Sequence, residues 1–205
     1  AFSVECEFLL PKKLRRHEKG FFATPFVTAS VFGLRSTGSG DFTFGDKFLT
    51  LKVVRVGNIE GESGAFESPH GYFVLTGSDS INITSSVISN LYDDRKWNFA
   101  IRVKPTKYPL NLAVSGAASD TYTVEAYGIN STATDVHKRV YFGTTINNAA
   151  GTQWAKTSKK LFAGAYRTNW TGSILLYSDA RVSDVKYQKL IRIFSLLFYK
   201  ISLKK

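Results

Sequence analysis

The sequence predicts an all-β protein, a two-sheet antiparallel β-sandwich, and three observations lead there. Apolar residues recur at every second position along most of the chain, the period of a half-buried strand rather than of a helix. The alternating segments are spaced by turn-forming clusters such as STGSGD, GNIEGESG, TGSDS and INNAAGT. Phe and Tyr supply 16 and 10 of the 205 residues, a bias toward side chains that suit a pleated surface. With 43% of residues hydrophobic, the chain can bury one large core as a single sandwich domain. No internal repeat organises it.

The elements follow in order. AFSVECEF alternates Phe2, Val4, Cys6 and Phe8 against Ser3, Glu5 and Glu7, a first strand with one apolar face. Thr28–Leu34, Phe48–Val56 and Gly71–Thr76 are the next candidates, and SINITSSVI sets Ile81, Ile83 and Val87 in step. WNFAIRVK places Trp97, Phe99, Ile101 and Val103 on one face and Asn98, Arg102 and Lys104 on the other, and Pro105 ends the run. TYTVEAYG sets Tyr122, Val124 and Ala126 against Thr123, Glu125 and Tyr127. Val140–Gly143, Leu161–Tyr166 and Gly172–Tyr177 complete about ten segments, a number and spacing typical of sandwiches and barrels. The stretch after Tyr177 reads as a turn and a short polar segment, which makes Arg167–Thr171 the loop between the last two core strands.

From Lys186 the pattern changes. Leu190, Ile191, Phe194, Leu197 and Phe198 follow helical spacing, which divides the chain into a sandwich over 1–187 and a basic amphipathic tail over 188–205. The tail suits a short closing helix, a partner interface or a membrane-surface helix. Six of the 27 Lys and Arg residues and none of the 16 acids lie in the last twenty residues, so the first 185 hold only +5 of the +11 charge. A second basic cluster is KKLRRHEK, Lys12–Lys19. Charge gathered at two ends is not a basic groove interleaved with aromatics, so the reading is no nucleic acid. No apolar run reaches the roughly 20 residues a membrane span needs, and no signal peptide is visible. With Ala first and Met absent, the sequence reads as a processed chain or a segment of a longer one. The single Cys6 excludes an internal disulfide and reads as a buried strand thiol.

Taken together, several segments resemble the laminin-G-like, concanavalin A-like jelly roll. FSVECEFLLPKK is similar to its opening strand, and KWNFAIRVKP after NLYDD to the strand entered through a Trp. YTVEAYGINS is similar to the strand and turn at the ligand-facing edge. LFAGAYRTNWTGSILLYSDARVSDVKY resembles the closing unit, with Gly164, Ala165, Gly172, Ile174, Val182 and Ser183 in its slots. The likeness runs from Phe2 to about Tyr187, and it departs where the family's acidic helical turn gives way here to a basic tail. Such modules occur in large virion and adhesin proteins. The resemblance therefore implies a virion or extracellular, cell-surface location, with a glycan or neighbouring protein subunits of a larger assembly as partners.

Glycan-cleaving enzymes of this fold need two carboxylates about 5–9 Å apart. Glu5 and Glu7 have suitable spacing, but an outward acidic face on an edge strand explains them without catalysis. Glu60 and Glu62 lie in a Gly-rich loop, and Asp93 and Asp94 are adjacent and so diverge. His17, His70 and His137 are scattered, and no nucleophile elbow, zinc spacing or phosphate loop occurs. The expectation is a protein without enzymatic activity. Lectin-like jelly rolls can hold one Ca2+ ion through loop carboxylates, and Asp93, Asp94 and Asp120 are acids of that kind, but solvated turn positions explain them without an ion and the expectation is no cofactor. A glycan site needs an aromatic platform with planar polar groups around it. The loop residues that offer both are Tyr92, Asp93, Asp94, Tyr166, Arg167, Asn169 and Trp170. Sequons stand at Asn82, Asn130 and Asn169, and a glycan on Asn169 would block that loop from binding another sugar.

Overall fold

A computed structural model describes residues 1–12, 28–37, 44–56, 69–106, 121–164, 166–167, 174–176 and 180–189. The strands are β1 (Phe2–Leu9), β2 (Thr28–Thr37), β3 (Phe44–Arg55), β4 (Gly71–Gly77), β5 (Asn82–Thr84), β6 (Lys96–Pro105), β7 (Thr121–Ser131) and β8 (Val136–Asn147). Helix α1 (Asn148–Lys156) follows, then β9 (Lys159–Ala163), β10 (Tyr166–Arg167), β11 (Ile174–Leu176) and β12 (Arg181–Lys189). They form two antiparallel five-stranded sheets, in the order β12-β1-β6-β7-β8 and β5-β4-β3-β2-β9, with β10 and β11 paired as a separate ribbon. The two-sheet sandwich expected from the alternation is the fold.

Burial follows the period of two. Phe2, Val4, Cys6 and Phe8 of β1, Trp97, Phe99, Ile101 and Val103 of β6, and Tyr122, Val124 and Ala126 of β7 all face the second sheet. Phe73 of β4 meets Trp97 edge-on at 5.1 Å between ring centroids and Phe99 at 4.8 Å, joining the two sheets through an aromatic centre. Gly128 makes room for that centre: a Cβ there would lie 2.5 Å from the Phe99 ring. Cys6 is buried and free, as its place in the alternation implies. Burial first, then the charges of Asp184 and Glu7, pushes its thiol up to about 12.

Four expectations need correction. The polar segment after the last turn is the strand β12, which pairs with β1 from Phe2↔Lys189 to Leu9↔Arg181. Its alternation is hidden because the register shifts opposite Glu7 and Phe8, leaving Ser183 as an extra residue between Val182 and Val185. Arg167–Thr171 is consequently not the link between the last two core strands, since β10 and β11 belong to the ribbon and β12 is the last strand of the first sheet. Lys186–Lys189 is extended rather than the start of a helix, so the strand passes the expected boundary at 187, and residues 190–205 lie outside the described residues. Within SINITSSVI only Asn82–Thr84 forms a strand, and Val87 is 57% exposed.

Helix α1 replaces what the sequence suggests is a turn. Asn147 caps it, its side-chain oxygen accepting from the Ala150 N–H at 2.8 Å. Trp154 is buried and donates through Nε1 to Asp79 Oδ2 at 3.1 Å. Gly151 lets the helix lie directly on Tyr122, whose ring would be 2.1 Å from a Cβ. The apolar face is one Trp and two Ala among polar residues, too sparse for a period of 3.6 to stand out.

Candidate functional site on the outer face of the first sheet

Strand alternation sends one half of each strand of the first sheet outward, and the register lines those residues into rows. One row runs Lys186, Glu5, Ala100, Tyr127 and Tyr141 across β12, β1, β6, β7 and β8. The next runs Asp184, Glu7, Asn98, Ile129 and Arg139. Ala100 is the small residue in the middle of the first row, and the taller side chains around it enclose a depression of about 260 Å3. Acids wall it on the β1 and β12 side, and Tyr127 and Ile129 wall it on the other. Drug-sized pockets begin near roughly 300 Å3, so this depression suits one ring of a larger ligand lying across the sheet.

The acids of the first wall are already engaged. Lys96 Nζ reaches Glu7 Oε2 at 3.0 Å, Lys186 Nζ reaches Asp184 at 2.8 Å, and Gln188 donates to Glu5 at 3.5 Å. The strand that carries Glu5 and Glu7 is not an edge strand: β1 lies between β12 and β6. The edge-strand explanation of these two acids is therefore corrected. They stand on an interior strand and line the depression.

On the opposite wall a carboxylate holds an aromatic in place. Glu125 is buried although it points outward, because its neighbours close over it. Its Oε2 accepts from Arg102 Nε at 2.9 Å, from Arg102 Nη2 at 2.6 Å and from the Tyr127 hydroxyl at 2.8 Å, while Oε1 meets Lys104 Nζ at 3.0 Å. Arg102 Nη2 also donates to the Tyr127 hydroxyl at 2.8 Å, so the phenol is fixed from two directions. Burial alone would raise the Glu125 pKa, but the bonds from Arg102, Lys104 and Tyr127 outweigh it and hold the carboxyl below its ordinary value. Burial would likewise lower Arg102, yet its bond to Glu125 raises it. Burial and the bond to Glu125 push the Tyr127 phenol up. The fixed Tyr127 ring packs against Tyr141, with centroids 4.9 Å apart and planes inclined by 41°, and Tyr141 is 60% exposed.

The loop residues expected to form a site are placed otherwise. Tyr92 is 1% exposed and Arg55 Cζ lies 3.3 Å from its ring centroid, so its face is covered and cannot serve as a platform. Asp93 accepts from Lys138 Nζ at 2.7 Å and from the Arg95 N–H at 3.1 Å. Asp94 Oδ1 accepts from the Lys12 N–H at 2.9 Å, and the Asp94 N–H donates to Leu10 O at 3.1 Å. These bonds tie the segment to the end of β1 and to β8, a structural clasp. Tyr166 and Arg167 form β10, and their side chains, like Asn169, Trp170 and Asp120, lie outside the described residues. Among the described residues no group of three or more His, Cys, Asp or Glu could hold a metal ion. Of the sequon residues, Asn82 is exposed in β5, whereas Asn130 is buried and pairs across strands with Trp97.

The residues missed in the sequence are Tyr127, Tyr141, Ala100 and Glu125. The signal for Tyr127 was present: it falls on the polar side of TYTVEAYG, where an outward aromatic has no core to serve. Tyr141 carries the same signal beside inward Phe142. No family model, curated protein or solved structure matches this chain. No helix among the described residues is long and apolar enough to cross a membrane.

Proposed function

We propose that this chain is a non-enzymatic, lectin-like recognition module of the concanavalin A-like kind, part of a virion or cell-surface assembly. In this reading it takes a glycan on the outer face of the β12-β1-β6-β7-β8 sheet. The supporting observation is the Tyr127–Tyr141 pair beside the depression, one ring fixed and the other largely in solvent. Sugar C–H faces stack on such rings, and the carboxylates and amide of Glu5, Glu7 and Asn98 match hydroxyl donors and acceptors. Ala100 leaves the gap a sugar ring would enter.

Glycan-array screening followed by calorimetry tests this. Binding should weaken about tenfold, near 1.4 kcal/mol, in Tyr141→Ala. Trp170→Ala should leave it unchanged. The reverse pattern would return the site to the loop, and flat responses across the array would leave protein contact as the only recognition role. A second reading, a glycoside hydrolase, is favoured by one observation alone: Glu5 and Glu7 sit two residues apart and line the depression. Degradation of a polysaccharide panel, abolished in Glu7→Gln, would establish it and overturn the non-enzymatic reading.

A further inference from the structure

Two of the three sequons fall on described strands, and the fold treats them oppositely. Asn82 is exposed in β5, at the rim of the second sheet. Asn130 is the last inward-facing residue of β7, set between Trp97 of β6 and Lys138 of β8, and it is 0% exposed. Trp97 is buried just as fully, and Lys138 is held in turn by Asp93 and the Asn90 carbonyl. A close-packed interior strains to take even a few added methylene groups, and an Asn-linked glycan begins with a whole sugar ring. The finished fold therefore admits no glycan on Asn130.

Asn130-Ser131-Thr132 is nonetheless a complete acceptor, with a middle residue that is not proline and Thr in the third place. What decides its fate is when the segment becomes enclosed. The β7–β8 hairpin is local, but the sheet around it is not. β6 pairs with β1, and β1 pairs with β12, which begins only at Arg181. At roughly 5–20 residues per second, synthesis needs several seconds to pass from Asn130 to that strand. Pairing strands so distant in sequence adds a further delay. In a compartment that transfers glycans to nascent chains, Asn130 is thus open to the transfer before the sheet can close over it. Once modified, β7 can no longer pack with Asn130 inside.

We infer that this chain folds in a compartment that attaches no Asn-linked glycans, and that it joins its assembly already folded and bare at Asn82, Asn130 and Asn169. The inference concerns the route to the assembly and not the ligand, so it stands or falls apart from the glycan reading. It separates the two locations proposed above. A virion subunit folded before assembly meets the condition, whereas a surface protein delivered through a glycosylating secretory pathway does not.

Production of the full chain by two routes tests it. Made in the cytosol, wild type and Thr132→Ala should share one cooperative melt, because the Thr132 side chain accepts a single exposed turn bond, from the Asp135 N–H at 3.3 Å. Sent through the secretory pathway of cultured animal cells behind a leader, wild type should carry sugar at Asn130 by mass spectrometry and be lost from the medium. Thr132→Ala removes the acceptor while keeping Asn130, and it should reach the medium with the cytosolic melt. Thr132→Ser keeps the acceptor and should be retained as wild type is. Sugar at the exposed Asn82 should be present in all three and tolerated. Folded wild type in the medium, with Asn130 either occupied or bare, overturns the inference. So does a Thr132→Ala chain retained as fully as wild type, since the buried acceptor would then not be the barrier.

Discussion

On its inner side β6 presents Trp97, Phe99, Ile101 and Val103, none more than 2% exposed, while on its outer side the same strand presents Asn98, Ala100, Arg102 and Lys104. The two faces share one backbone and one register, yet their residues answer to different constraints. Inside, every one of these positions is a large apolar group buried in the core. Outside, a small residue, a buried carboxylate and two tyrosines stand side by side. Core packing explains the first set completely. It gives no account of Tyr141, which rests on one other ring and otherwise faces water. A sheet face that need only be soluble would carry small polar and charged groups there. Burial accounts for the inner face, and the proposed recognition role is what would account for the outer one.

The largest effect should come from the inner face. Phe99 touches Phe8, Phe32, Phe73 and Phe142, so Phe99→Ala opens a void between the sheets. The expected cost is about 3–5 kcal/mol in urea unfolding. Ligand affinity per folded molecule should be retained, and a selective loss of binding at unchanged stability would erase the distinction between the faces.

Glu125 lies between the two kinds of position, and its substitution should have an intermediate effect. Glu125→Gln leaves Arg102 and Lys104 facing each other without a counter-charge and loosens the Tyr127 hydroxyl. Both cations keep access to water, so about 1–3 kcal/mol is expected. The pH dependence separates this charge from simple packing. The folded-state pKa of Glu125 is depressed, so its stabilisation is complete above the unfolded carboxylate value near 4.5 and fades as pH falls through the lower folded value. The gap between wild type and Glu125→Gln should therefore be constant at neutral pH and close on the acid side. A gap that widens with acid would mean the carboxylate is not the group holding the wall together.

How much of this was legible depends on whether a position obeyed one simple period. Trp97 through Val103 follow strict alternation, and their burial could be read directly. β12 was missed because a single extra residue, Ser183, breaks the period between Val182 and Val185. α1 was missed because its stability comes from an Asn147 cap and one Trp seated on other elements, neither of which makes a repeating pattern. Loops draw a reading of the sequence toward them because aromatic and acidic residues cluster there, as they do from Tyr92 to Asp94. Three of those residues turned out to hold the sandwich together. Tyr127 and Tyr141 are 14 positions apart, and only the β7–β8 register makes them neighbours. Each tyrosine is by itself an outward aromatic that the sequence shows, but a site distributed over five strands has no single stretch that joins them.

The smallest effect on folding should be at Tyr141. With most of its ring in solvent and one aromatic neighbour, Tyr141→Ala should change stability by no more than about 0.5 kcal/mol. An exposed aromatic that contributes so little to the fold is the residue whose removal can be read as a change in recognition alone. If Tyr141→Ala instead destabilised the chain as Phe99→Ala does, the outer tyrosines would be packing groups like those inside. The contrast between the faces would then reduce to hydrophobic burial on both sides of one sheet. If stability is held and binding is lost, the outer face is a surface that the fold carries without needing.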